Sequence, residues 1–255
     1  AKLRASIDEL VPDADAHVFE PTPADARRLA QADVVLVNGL GFEGWMQRLV
    51  NVSGFKGPIV VASQGVKPPA SANAASHHAH GAQHPRAGAA AGLADDPHAW
   101  QDLAMAKIYV ANFRNGFIKR WPQHRAQIIQ RSDAYLDLIE QLDQRIKVWF
   151  HAIPRAQRRV ITTHSAFNYF GAAYGVDFVA AQGWNAQGEP SAAAVARLIR
   201  QIRQEKVTAL FVENISDRRL LDRIAKEGGA GVGGTLYSVA LSQPGGVAPS
   251  YLAMI

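Results

Sequence analysis

Nine histidines and no cysteine set the chemistry open to this 255-residue chain. Without thiols there are no disulfides, thiolate metal sites or cysteine nucleophiles. Four histidines crowd into "SHHAHGAQH" (76–84): His77, His78, His80 and His84. Three others are far apart in sequence but sit in similar local contexts. His17, in "DADAHVFEPTP", follows an expected strand and precedes a helix; His98, in "DDPHAW", stands at the mouth of a helix; His164, in "VITTHSAF", closes a strand. Neutral imidazole binds zinc at about 2.0–2.1 Å, and His-rich sets suit borderline transition metals. In open α/β sheets ligands bind outside the carboxyl ends of strands, so imidazoles from distant segments can meet there on one ion. For each histidine alone the alternative is a satisfied polar residue at a strand end, and spacing does not separate the two. His124 and His151 fall on a long helical stretch and are assigned to surface or packing. No H-E-x-x-H helix, Gly-rich phosphate loop or G-x-S-x-G elbow accompanies these residues.

The elements that must position the trio are legible in outline. "PTPADARRLAQA" (21–32) carries a Thr22 cap, Pro23 at the first helical position and Asp25 in the first turn. "DVVLVNGL" (33–40) and "GPIVVAS" (57–63) suit buried strands, with the short helix "FEGWMQRLV" between them. Strand, helix, strand in this order argues for a parallel α/β unit. Residues 64–94 then lose all apolar periodicity, and the histidine cluster lies in this Ala/Gly/Pro/Ser-rich loop. Helix is expected from Asp96 onward. A second helix opening at Pro122 runs about 30 residues, close to 45 Å, with Ile128, Tyr135, Leu138, Ile139, Leu142 and Ile146 at near-helical spacing. A rod of that length between two α/β regions is expected to be a spine. The second region comprises the strand "RRVITTHSAF", the helices "FNYFGAAYG" and "SAAAVARLIRQIRQEK", the strand "VTALFVEN" (207–214), a capped helix in "SDRRLLDRIAKEGG" and a last strand with its exit loop, "GVGGTLYSVAL". The expected divisions are an N-terminal α/β lobe at 1–121, the linker helix at 122–153 and a C-terminal α/β lobe at 154–255.

Hydrophobic content of 48% and charged content of 19% describe a globular chain with a real core. The net charge of +5 comes from arginines interleaved with acids and apolar residues along helices, so no nucleic-acid partner is expected. The polar opening "AKLRASIDEL" shows no secretory signal, which fits a cytoplasmic protein or a processed form.

Four stretches taken together, "PDADAHVFEPTPADARRLAQADVVLVNGLGFEGWMQRL", "DDPHAWQDLAMAKIYVANF", "RRVITTHSAFNYFGAAYGV" and "LFVENISDRRLLDRIAKEGGA", closely resemble the metal-binding solute-binding proteins of zinc and manganese ABC importers. The resemblance covers nearly the whole chain. It implies two Rossmann-like lobes joined by one long rigid helix, a metal in the cleft between them, a periplasmic location and delivery to a membrane permease, without catalysis. It implies His17, His98 and His164 as the first three ligands and zinc ahead of manganese, because manganese members place a carboxylate third. The His-rich loop also resembles the zinc branch, which makes His77, His78, His80 and His84 accessory ligands. The family's fourth ligand is an aspartate in a pattern like "LYSDALS"; here "LYSVALS" puts Val239 in that place, leaving three histidines with water or a substitute. Glu213 is the substitute to consider, although the family's glutamate there is not usually a ligand. Against the family pattern the chain is also expected to lack the first strand and helix and the final helix. Monomer is the default, with a periplasmic metallochaperone as a further partner. The alternatives are a three-histidine zinc hydrolase and a metal-dependent adhesin or zinc chaperone.

Overall fold

The structure is a computed structural model that describes residues 16–68, 96–182, 191–205, 207, 209–215 and 218–255. The strand expected before His17, the histidines at 77, 78, 80 and 84, and the cap expected at Ser216 and Asp217 lie outside the described residues.

The N-terminal part begins with a 3-10 turn, Ala16–Val18, and continues through α1 (Pro23–Ala30), β1 (Val35–Val37), α2 (Met46–Ser53) and β2 (Ile59–Val61). The capping box expected at Thr22 is present: the Asp25 carboxylate accepts the Thr22 amide at 2.8 Å, and the Thr22 hydroxyl accepts the Asp25 amide at 3.4 Å. It settles the amides left without partners in the first helical turn. β1 and β2 pair in parallel, Val35 opposite Ile59, over a core of Leu29, Val35, Trp45, Leu49 and Phe55. β2 is not the buried strand its apolar run suggests. Ile59 and Val61 stay 43% and 37% exposed, because side chains alternate and only Val60 turns toward α3. There Gly116 lets the helix approach: a Cβ on it would lie 2.4 Å from Val60.

Helix does not start at Asp96 as expected. Residues 99–101 form a 3-10 turn, and α3 (Leu103–Arg120) begins only where the Asp102 carboxylate caps the Ala104 amide at 2.8 Å. Pro122 likewise opens a 3-10 turn, Pro122–His124, so His124 stands just ahead of the long helix α4 (Arg125–Ala152) while His151 lies on it, exposed. At 28 residues α4 spans about 42 Å. Arg114 pairs with Asp133 across α3 and α4 at 3.2 Å, and Ile139 and Ile146 sink into a core shared with Leu103 of α3 and with Tyr174 and Val176 further along the chain. The Tyr174 hydroxyl donates to buried Asp143 of α4 at 2.9 Å. The long helix is therefore cemented on both sides.

The second sheet is wholly parallel in the order β4-β3-β5-β6, formed by β3 (Arg159–His164), β4 (Asp177–Gln182), β5 (Ala209–Glu213) and β6 (Gly231–Leu236). Helices α5 (Asn168–Tyr174), α6 (Ala192–Glu205) and α7 (Arg218–Gly228) connect them, and α8 (Tyr251–Met254) follows. β4 is absent from the sequence-based expectation; two alanines dilute its strand signal. Ile161, Leu198, Ile202, Leu210, Leu221 and Ile224 form this core. The chain runs from β3 outward to β4 and then returns to β5 on the other side of β3, so the strand order reverses between β3 and β5. That switch point is where such sheets take ligands. No helix among the described residues is long and apolar enough to cross a membrane.

Candidate metal centre

His164 ends β3 and Glu213 ends β5, side by side at the switch point. His98 stands before the 3-10 turn that leads into α3, and His17 lies in the turn that precedes α1. From these three places each imidazole presents one nitrogen to a common point, all three within 4.8 Å of one another. His17 Nε2 and His98 Nε2 are 3.2 Å apart. Nitrogens about 2.05 Å from a tetrahedral ion would be separated by roughly 3.3 Å, so this pair is spaced to share one ion.

Carboxylates orient two of the three rings. Asp96 Oδ1 lies 2.7 Å from His98 Nδ1 and accepts the His98 amide at 3.0 Å, while Asp96 Oδ2 accepts the Asn168 side-chain amide at 2.8 Å. Asp96 and His98 are fully buried. Glu213 Oε2 lies 2.5 Å from His164 Nδ1, and Oε1 accepts the Thr163 hydroxyl at 2.7 Å and the His164 amide at 2.9 Å. Burial pushes the Glu213 carboxyl up, but His164 and Thr163 outweigh it and hold the group below the ordinary glutamate value. A carboxylate on Nδ1 fixes the tautomer that leaves Nε2 as a donor, the usual arrangement behind metal-binding histidines. Both Glu213 oxygens are thus turned to His164 and Thr163.

His17 is held differently. The buried Trp45 indole donates to Ala16 O at 2.8 Å, and the Phe19 ring meets Trp45 edge-on at 4.9 Å. Phe42 lies 4.7 Å from His17, and Trp100 lies 5.1 Å from His98, between ring centroids. Trp100 Nε1 and Gln101 Nε2 both donate to Ser238 O, at 3.1 and 3.0 Å. They tie the His98 segment to the loop after β6, where Val239 is half-buried and its side chain has no donor atom for an ion. Asp96, Asn168, Trp45 and Phe42 escape the sequence reading. Only Asp96 left a local signal, two residues ahead of His98 in "DPH".

Residues 4–255 match the family described as zinc-uptake complex component A, periplasmic (ZnuA). The chain is 29% identical over 254 residues to manganese-binding lipoprotein MntA of Halalkalibacterium halodurans, covering 99% of this chain and 78% of that protein. It is 30% identical over 244 residues to iron-binding protein YfeA of Yersinia pestis, covering 96% and 73%. Its fold is similar to the solved periplasmic zinc-binding protein TroA of Treponema pallidum, with a TM-score of 0.80 and 26% identity over 95% of this chain and 84% of that one. The chain belongs to the ZnuA family of periplasmic metal-binding proteins. It is a solute-binding protein of an ABC importer, works with a membrane permease outside the cytoplasm, and is not an enzyme. The names of its relatives speak of manganese, iron and zinc, so the metal class is common ground and the particular ion is not.

Proposed function

We propose that the cargo is zinc, captured at high affinity by His17, His98 and His164 and handed to the permease. The observation that carries this reading is the donor set: three imidazole nitrogens gathered within 4.8 Å, with the Asp96 and Glu213 carboxylates turned to imidazole Nδ1 atoms. Manganese favours oxygen donors, whereas nitrogen-rich tetrahedral sets suit zinc. Water completes the shell beside Val239 in this proposal. The lobes are assigned to 1–121 and 154–255 with 122–153 as the spine, and the monomer as the working unit. Because α4 shares a core with both sides, ion capture orders the cleft rather than closing a hinge. The histidines at 77, 78, 80 and 84 serve as a weak accessory collector, since a loop ligand must lose conformational entropy on binding.

The test is a zinc titration against a competing chelator, on the protein and on a variant lacking residues 76–84. One tight zinc per chain is expected in both, weakening as pH falls below about 6.5 because protons compete for imidazole. Loss of the tight site with the loop, or an affinity flat from pH 7.5 to 5, would refute the assignment.

A further inference from the structure

We propose that Phe42 limits the number of ligands the bound ion can take, and so sets metal selectivity; this rests on the zinc reading above. The Phe42 ring stands beside two of the three imidazoles, 4.7 Å from His17 and 6.3 Å from His98, and meets Trp100 at 5.0 Å. Trp100 stands against His98 at 5.1 Å, so two apolar rings border His17 and His98, and in this proposal they wall one side of the ion's position. Such a wall neither ligates an ion nor holds a water. Mn²⁺ and Fe²⁺ bound to three histidines need up to three further ligands to complete an octahedron; zinc needs one. Closing one side therefore costs the six-coordinate ions more than zinc, and selectivity follows from positions denied rather than from a changed donor.

The loop that carries Phe42 is built to keep it there. Gly39, Leu40 and Gly41 all have positive φ, at 85°, 53° and 76°. For Leu40 this is a conformation that residues with a side chain rarely adopt, and it persists only where the surroundings impose it. Here they do. The Glu43 carboxylate accepts the Asn38 amide at 2.6 Å and the Gly39 amide at 3.1 Å, which closes the loop from its far end. The Asn38 side chain donates to Gly39 O at 2.9 Å and to Pro97 O at 3.0 Å, and accepts the Tyr109 hydroxyl at 2.7 Å. Pro97 directly precedes His98, so one side chain sets the Phe42 loop in register with a candidate ligand. A Cβ on Gly39 would fall 2.6 Å from Ser63 Oγ, which fixes how closely the loop seats on the strand exit. Phe42 is thus a positioning residue acting through space on the ion, and Asn38 and Glu43 hold it.

The experiment uses Co²⁺ as a spectroscopic probe, at less than one equivalent, with zinc and manganese competition on the same proteins. The expected result is strong visible absorption of a four-coordinate ion in the unaltered protein. In Phe42→Ala the band weakens toward that of a five- or six-coordinate ion, and the zinc-over-manganese preference falls at least tenfold. Phe42→Leu, apolar and bulky, retains both properties. If the alanine variant fails to fold, Phe42→Gln, similar in size but able to hold water, is expected to show the same loss. A six-coordinate spectrum in the unaltered protein, or folded variants with unchanged spectrum and preference, overturns the proposal while leaving zinc binding intact. An unaltered protein that prefers manganese overturns the zinc reading itself, and this inference with it.

Discussion

His98 and His17 bring the same atom to the same point by different means. His98 is fully buried, its ring fixed by a carboxylate that is itself held by Asn168 of α5. His164 follows the same pattern with Glu213, on the larger of the two described sheets. His17 sits half-buried in a three-residue turn, steadied by an indole on the neighbouring carbonyl and by ring contacts. Two imidazoles belong to the framework of the fold; the third is delivered to them by a peripheral turn. A site arranged this way is expected to combine two preorganised donors with one that adjusts when the ion arrives.

The contrast is sharpest in the metal-free protein. Both His98→Ala and His17→Ala are expected to cut zinc affinity by more than 100-fold, on the scale of a lost ligand. Only His98→Ala should also lower the stability of the metal-free protein, by about 1–3 kcal/mol, because it takes the imidazole donor away from the buried Asp96 carboxylate and leaves a hole at a fully buried position. Denaturant midpoints without metal check this, and equal effects from the two variants would erase the distinction. One step smaller, Asp96→Asn and Glu213→Gln should weaken zinc binding by about 10–100-fold. Trp45→Phe, which removes one neutral hydrogen bond to the His17 turn, should cost about three- to tenfold. Competitive titration ranks the three.

The smallest effect falls outside the site. Thr22→Ala should lower stability by about 1 kcal/mol through the lost cap and leave zinc affinity unchanged. The Asp25 carboxyl of the same capping box is held below its ordinary value, chiefly by the Thr22 amide and then by its hydroxyl. A depressed carboxyl stabilises the fold above its ordinary pKa near 3.8 and loses that contribution as pH falls through the folded value. Asp25→Asn should therefore lower the urea midpoint at pH 7, by an amount that shrinks as pH is taken below 3.8.

The same division marks what the sequence discloses. His164 is readable because a strand's carboxyl end is a local pattern, and Thr22 because a capping box spans four residues. The resemblance to metal-binding proteins then ranks the histidines. The partners that make them donors are not local. Glu213 is 49 residues from His164, Asn168 is 72 from Asp96, and Trp45 reaches Ala16 across 29. Such pairs are set by the order of strands in a sheet and by the packing of α3 and α5, which no window of residues contains. β2 shows the reverse failure: an apolar run of three looks buried until the pairing reveals that only one face is covered. In "DPHAW" the sequence shows a helix mouth, but not that Asp102 delays the helix and leaves His98 just ahead of a short turn, beside His17 and His164.

The claim that three imidazoles from distant segments hold the ion is tested most directly by X-ray absorption at the zinc edge, on protein lacking residues 76–84 and loaded with one equivalent. The structure predicts a shell of three imidazole nitrogens at about 2.0–2.1 Å with one water oxygen completing a four-coordinate site. A shell dominated by oxygen at longer distance and of higher coordination number would contradict it.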